Sequence, residues 1–300
     1  MISSIPVMQY IIALIIFCSV LFFYLHIYFH LKTSDDLEVY TIERPSKEKL
    51  EEICDLRQPV IFTYNNEALT TLCNLDYMNK EYSSFDVNLR NNTDDDSDLT
   101  ELYLPLQLGE AIELLHKDTE AKYFTEKNGD FLKETGLLRI FRNNDLFLRP
   151  PLVSKCMYDF SVGSNNCASP LRYTPNYRHY IYVSKGQVKV KLIPPLGTKY
   201  LRLIDDYDNF EFRSPINAWN VQEEYKKDFG KVKSLEVVLK PNDILFISAY
   251  WWYSVKYEDG ASICSFKYRT YMNTVAILPS LIMSTLQSLN IRHDIVEKMD

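Results

Sequence analysis

From Pro6 to Phe29 the chain reads PVMQYIIALIIFCSVLFFYLHIYF, with no aspartate, glutamate, lysine or arginine. No other stretch restricts the fold as sharply. A helix apolar on every face has no place at a water-exposed surface, and roughly two dozen residues suffice to cross a hydrocarbon core of about 30 Å. The aromatic cluster at its far end (Phe22, Phe23, Tyr24, Tyr28, Phe29) suits a membrane interface. A cleaved signal peptide would want a basic leader, a shorter apolar stretch and small residues at the cut, and none is evident. The expectation is an uncleaved, single-pass membrane anchor over residues 1–32. No lysine or arginine precedes the span, whereas Lys32, Arg44, Lys47 and Lys49 follow it, so the positive-inside rule favours a cytoplasmic body. Asn91-Asn92-Thr93 is a glycosylation sequon that would matter only on the other side.

The remaining chain has the makings of a folded body. Of the 300 residues, 46% are hydrophobic and 24% charged, which argues against wholesale disorder. A formal net charge of −7 gives no basic surface for nucleic acid. Twenty-two tyrosines and 16 phenylalanines against 8 glycines point to a β-rich interior. Cys18, Cys54, Cys73, Cys156, Cys167 and Cys264 are scattered and form no CxxC pair. With Cys18 in the apolar run, an odd number is left in the body, which reads as reduced thiols; the near neighbours Cys156 and Cys167 are the one pair left open for a disulfide.

Along the chain, a polar stem (33–42) leads to Ser46, which is placed to cap a helix. Pro59 to Tyr64 predicts a buried strand. Asn91 to Asp98 is an acidic loop without calcium-loop spacing. Leu106 to Leu115 and Tyr123 to Leu132 show helical spacing. From Met157 the texture changes to short aromatic and β-branched runs, with a tight-turn signal at Pro241-Asn242-Asp243. This predicts a mainly β body, a sandwich or jelly roll with flanking helices, over 43–273. The tail, 274–300, is expected to be a packing helix or a dimer contact.

Three segments carry a resemblance. Ser169-Pro170-Leu171-Arg172-Tyr173-Thr174 is similar to the T/S-P-L-H-Y-D strand of the JmjC/cupin-like hydroxylases. Val183-Ser184-Lys185-Gly186 through Leu192-Ile193-Pro194-Pro195 resembles their next strand. Pro241-Asn242-Asp243-Ile244-Leu245-Phe246-Ile247 followed by Tyr250-Trp251-Trp252 resembles their P-G-D-x-L-F-I-P-x-x-W-W-H. The order matches over most of residues 43–273. The resemblance implies a double-stranded β-helix that binds Fe(II) and 2-oxoglutarate and hydroxylates or demethylates protein side chains.

Such chemistry needs two histidines and a carboxylate on one face of the metal. The resemblance places those three positions on Arg172, Thr174 and Tyr253; a register shifted by one offers Tyr173 and Pro175 instead. A guanidinium stays cationic and has no lone pair to give. The co-substrate lysine of the family falls on Val188, with Lys189 pointing to the opposite face. No catalytic residue, metal or cofactor is therefore expected. Arg172, if buried, demands a partner, either a protein carboxylate such as Asp159 or Asp243 or an anionic ligand. Tyr173, His179, Val188, Trp251 and Trp252 are candidate pocket residues.

Other constellations add little. His26 and His30 belong to the anchor, and His293 to the tail. His116 and Asp118 stand two apart at the end of an amphipathic helix and cannot close on one ion. No Walker loop, GxSxG or GxGxxG occurs. The leading expectation is a membrane-tethered, catalytically empty domain that acts as a binding or scaffold module, its partner a protein or a second copy bound through the C-terminal helix. An active hydroxylase with unrecognised ligands and a structural viral membrane protein are the alternatives.

Overall fold

The structure, a computed structural model, describes residues 4–92 and 103–290. The acidic stretch from Thr93, which is the last residue of the sequon, and His293 lie outside the described residues.

Helix α1 (Ser4–Leu31) contains a span, Met8–Leu31, long and apolar enough to cross a membrane. A signal sequence at a chain's start passes the same test. The stem that follows is not a free tether. Strand β1 (Tyr40–Ile42) pairs in parallel with β2 (Val60–Thr63), Gln58 donates to Asp36 at 2.8 Å, and Asp35 accepts the Leu196 backbone N–H at 2.7 Å. Between β1 and β2 lies α2 (Lys47–Cys54), capped by Ser46, whose hydroxyl accepts from the Lys49 N–H at 3.2 Å.

A helical layer and a small sheet come next in the chain: α3 (Glu67–Leu72), α4 (Leu75–Tyr82), β3 (Asp86–Asn91), β4 (Leu104–Gln107), α5 (Leu108–Lys117), β5 (Tyr123–Thr125), α6 (Gly129–Glu134) and α7 (Leu137–Asn144). Two helical expectations are corrected here. Leu106 and Gln107 end strand β4, so the helix begins at Leu108. Tyr123 to Thr125 is a strand that pairs with β3, because two aromatics and a threonine suit a ladder better than a helix. Only Gly129–Glu134 is helical in that stretch.

The body is built from β6 (Val153–Val162), β7 (Arg172–Tyr173), β8 (Arg178–Ile193), β9 (Ile204–Asp206), β10 (Glu211–Arg213), β11 (Leu235–Leu239), β12 (Asp243–Ser248) and β13 (Trp252–Thr270), with the single-turn helix α8 (Lys226–Phe229) before β11. Strands β8 and β13 run through two layers. In one layer, β12 pairs with the first half of β8, which pairs with the second half of β13, and β6 closes the edge. In the other, β11 pairs with the second half of β8, which pairs with the first half of β13, followed by β7, β10 and β9. The turn from β11 to β12 has Pro241 followed by Asn242 at φ 72°, closed by the Asp243 N–H on the Lys240 carbonyl at 3.0 Å. That is type II geometry, with proline and asparagine in their favoured places.

Strand alternation divides the side chains. Ile181, Val183, Val188, Val190, Leu192, Leu245, Ile247, Val255 and Ile263, drawn from both layers, form one buried cluster between them. The opposite face of the first layer turns Tyr180, Tyr182, Phe246, Phe266 and Tyr268 onto the helices. Lys189 faces outward and pairs with Glu258 at 2.7 Å while Val188 is fully buried, as period-two alternation requires.

Both long strands bend at one level. Gly186 lies at φ 71°, opposite a register shift between Glu258 and Ser262. A Cβ on Gly186 would stand 2.6 Å from Ala261 Cα and 2.7 Å from its amide nitrogen. Backbone atoms cannot swing aside, so Gly186→Ala combines a clash with left-handed strain. It is expected to cost at least about 1–3 kcal/mol, read as a lower midpoint in chemical denaturation.

The six cysteines are all free. The tail is two helices, α9 (Tyr271–Ala276) and α10 (Leu278–Asn290), rather than one. α9 packs against α1, and α10 exposes Leu278, Ile282, Met283, Leu286 and Leu289.

Candidate functional site

Strand β7 meets the start of β13 with Arg172 directly opposite Tyr253, so their side chains share a face. The guanidinium carbon stands 5.8 Å from the Tyr253 ring centroid. Thr174 follows on the same chain, and its carbonyl accepts the N–H of Tyr250, in the turn just before β13, at 3.0 Å. The three aligned positions therefore converge, on the wall of a cavity of about 350 Å³ at the open end of the two layers.

Arg172 is clamped there by two carboxylates. Its Nη1 donates to Glu211 at 2.7 Å and its Nη2 to Glu126 at 2.5 Å. Arg90 grips the same pair from the other side, at 2.7 Å to Glu126 and 3.0 Å to Glu211. The side chains of Arg90, Glu126 and Glu211 are at most 5% exposed. Two cations and two anions thus alternate in a closed ring drawn from β3, β5's end, β7 and β10. Burial alone would push both carboxyls up; the Arg172 and Arg90 guanidiniums outweigh it and hold Glu126 and Glu211 below the usual carboxylate range. Tyr103 adds a hydrogen bond to Glu126 at 3.0 Å.

The named partners of the sequence reading are corrected by this ring. Asp159 accepts the backbone N–H groups of Lys127 and Asn128 at 2.9 and 2.7 Å, and Asp243 holds the turn by accepting from Lys240 N–H at 2.9 Å. Neither pairs with Arg172. Glu126 and Glu211 escaped notice because Glu126 lies in a segment read as helix. Glu211 has a signal, a lone acid between Phe210 and Phe212 in a strand, where alternation buries or exposes it apart from its neighbours.

Elsewhere the lining carries more cations than anions: Asp159 is its one further carboxylate among the described residues, beside Lys127 and three other basic side chains. These three are Lys155, Lys267 and Arg269, and among the described residues none of them pairs with a carboxylate. Arg269 is 8% exposed; its Nε donates to Asn176 Oδ1 at 2.7 Å, and its guanidinium lies 4.8 Å from the Phe210 ring centroid. Asn176 in turn donates to the Thr174 hydroxyl at 2.6 Å. Leu281 and Ser284 of α10 cover one side.

The candidate pocket residues separate. Tyr173 lines the cavity and stacks on Phe212 with centroids 5.1 Å apart. His179 lies beneath, 1% exposed, with its ring 5.0 Å from that of Tyr253 and Nε2 2.9 Å from the Ser265 hydroxyl. Its Nδ1 has no hydrogen-bond partner. Burial, then Lys267 and Arg172, hold its pKa well below the ordinary imidazole value, so it is neutral. Val188 and Trp251 belong to the packed interior. Trp252 packs on the outer side with Leu171, Ile193 and Ile216, donating to Thr198 Oγ1 at 2.8 Å. Neither tryptophan lines the cavity. Asp118 accepts from Ser164 at 2.6 Å and from three backbone N–H groups, a loop-holding role that leaves His116 alone on its helix.

Two curved antiparallel layers sharing two long strands, with a cavity at one open end, define a β protein of the cupin kind. The family model for the cupin-like domain matches residues 45–270, and the chain belongs to that family. A comparison with curated proteins finds no match.

The Fe(II) that the resemblance implies does not suit this donor set. Arg172 brings a positive charge already satisfied by two carboxylates, and a hydroxyl and a phenol complete the three positions. Neutral oxygens of that kind do not replace imidazole and carboxylate around ferrous ion. His179 has one free nitrogen but no second imidazole beside it. Among the described residues, no three His, Cys, Asp or Glu side chains are grouped so as to hold a metal ion.

Proposed function

We propose that this cupin-like protein is a membrane-anchored binding module that works without iron or 2-oxoglutarate. The observation that carries the reading is the Arg172 clamp: where a metal ligand would project, a guanidinium bridges Glu126 and Glu211. The cavity then offers recognition rather than redox chemistry, with Lys155, Lys267 and Arg269 as unpaired cations suited to an acidic group of a partner. The uncharged, exposed apolar residues of α10 supply a second surface for a protein partner or another copy of the chain.

The anchor reading is supported by how α1 ends. Arg57, 2% exposed, lies between the Phe29 and Tyr177 rings at 4.7 and 4.8 Å and reaches the Phe29 carbonyl at 3.4 Å. It thereby serves the unsatisfied carbonyls and negative pole of the helix C-terminus. His30 is 7% exposed and bonds Thr270 at 3.2 Å. Removing residues 1–32 would uncover a guanidinium that, among the described residues, has no carboxylate partner, which favours retention of the helix. Lys32 and the basic residues after it put the body on the cytoplasmic side.

Metal analysis of the full chain, with Fe(II) and 2-oxoglutarate titrated by calorimetry, tests the iron-free reading. The expected result is no stoichiometric iron, no saturable heat from 2-oxoglutarate and no succinate. One tightly held iron per chain with turnover of 2-oxoglutarate would overturn it and restore the hydroxylase.

A further inference from the structure

A groove of about 570 Å³ runs between α1 and the body. Phe22, Leu25 and Phe29 form its helix wall, and Leu152, Tyr271 and Met272 its body wall. No aspartate, glutamate, lysine or arginine lines it. Its imidazoles are turned inward: Nδ1 of His26 and of His30 each donate to a carbonyl one turn back, at 2.8 Å. Yet Leu152 is 76% and Tyr271 62% exposed, an apolar face with nothing of the protein over it.

Its height along α1 identifies what covers it. The span Met8–Leu31 has 24 residues, about 36 Å of helix against a hydrocarbon core of about 30 Å. With the overhang shared, roughly 3 Å of helix emerges beyond Leu31's side of the core. Phe22 is nine residues before Leu31 and so lies about 13 Å below it, about 10 Å inside the hydrocarbon. The groove therefore begins among acyl carbons and ends at His30, where Arg57 stands level with headgroups. Water at that depth is excluded, and a void lined by leucine and aromatic side chains beside lipid tails fills with tails.

We infer that this groove holds an acyl chain of a lipid of the surrounding bilayer, so that Leu152 and Tyr271 dip below the membrane surface. The inference rests on the reading of α1 as a span. The full chain in phosphatidylcholine vesicles tests it. Spin labels go on Leu152→Cys and on Tyr271→Cys, each with Cys18→Ser and Cys156→Ser; the other four cysteines are buried. Both substituted side chains are exposed, so packing is left intact. Collision rates are read with oxygen, which dissolves in lipid, and with a water-soluble nickel chelate. A label on native Cys18, inside the span, serves as the reference. The expected result is loss of nickel collisions at 152 and 271, as at Cys18. Nickel access at 152 and 271 with Cys18 still shielded would overturn the groove and leave the anchor standing. Nickel access at Cys18 as well would remove the anchor and the groove together.

Discussion

Glu126→Ala is expected to destabilise the fold by about 3–5 kcal/mol, because it leaves Arg90 and Arg172 buried beside one remaining carboxylate. The loss is measured as the change in denaturation midpoint at constant slope. Replacing Arg172 by methionine together with Glu126 by leucine is expected to cost clearly less than the sum of the two single changes, since charge is then removed in a pair. A Glu126→Ala protein as stable as the parent would show that the ring contributes nothing to folding. The pH dependence has a definite sign. Both glutamates titrate below their unfolded value of about 4.3, so their stabilisation is present above that pH and is lost as pH falls through the lowered folded values. The ring is expected to keep its full contribution near pH 5 and to lose it only on acidification below the unfolded carboxylate value.

Trp251→Ala is the second large loss, about 3–5 kcal/mol for emptying a fully buried indole site. Its Nε1 also donates to the Arg57 carbonyl at 3.0 Å, and Arg57 is the residue that holds the end of α1. Loss of the indole should loosen that contact as well as the interior. Proteolysis between residues 31 and 40 is expected to quicken in this variant more than in Gly186→Ala, which lies at the distant bend. Trp251→Phe separates the two effects: most of the apolar burial remains, while the carbonyl loses its donor at about 1–3 kcal/mol. Equal stability of Trp251→Ala and the parent would contradict the packing described.

How far the sequence could be read depended on the range of the interactions. The strands of the body, the type II turn at Asn242 and the opposite directions of Val188 and Lys189 follow from alternation and turn chemistry, which are local. The convergence of Arg172, Thr174 and Tyr253 on one wall followed from motif order. What escaped was non-local: Glu126 and Glu211 reach Arg172 from 46 and 39 residues away, and no period in the chain connects them. Tyr123 to Thr125 looked helical because its neighbours repeat at helical spacing, but β3 offered a ladder partner and the ladder won. The polar stem gave no sign of its partners; its tether to Gln58 and Leu196 is visible only in three dimensions.

The four-membered ring also makes one kind of change hard to reach. Suppose a histidine arose at 172 as a first move toward a ferrous site. It would leave Glu126 with Arg90 alone and Glu211 with Arg90 and the more distant Arg213, 3.6 Å away, and the fold would weaken by several kcal/mol before any metal could compensate. A histidine at 253 would give up the packed phenol ring, and an aspartate at 174 would break the hydrogen bond that the Thr174 hydroxyl accepts from Asn176. The first of these exchanges therefore runs uphill in stability, and the ring itself resists replacement of the guanidinium at 172 by an imidazole.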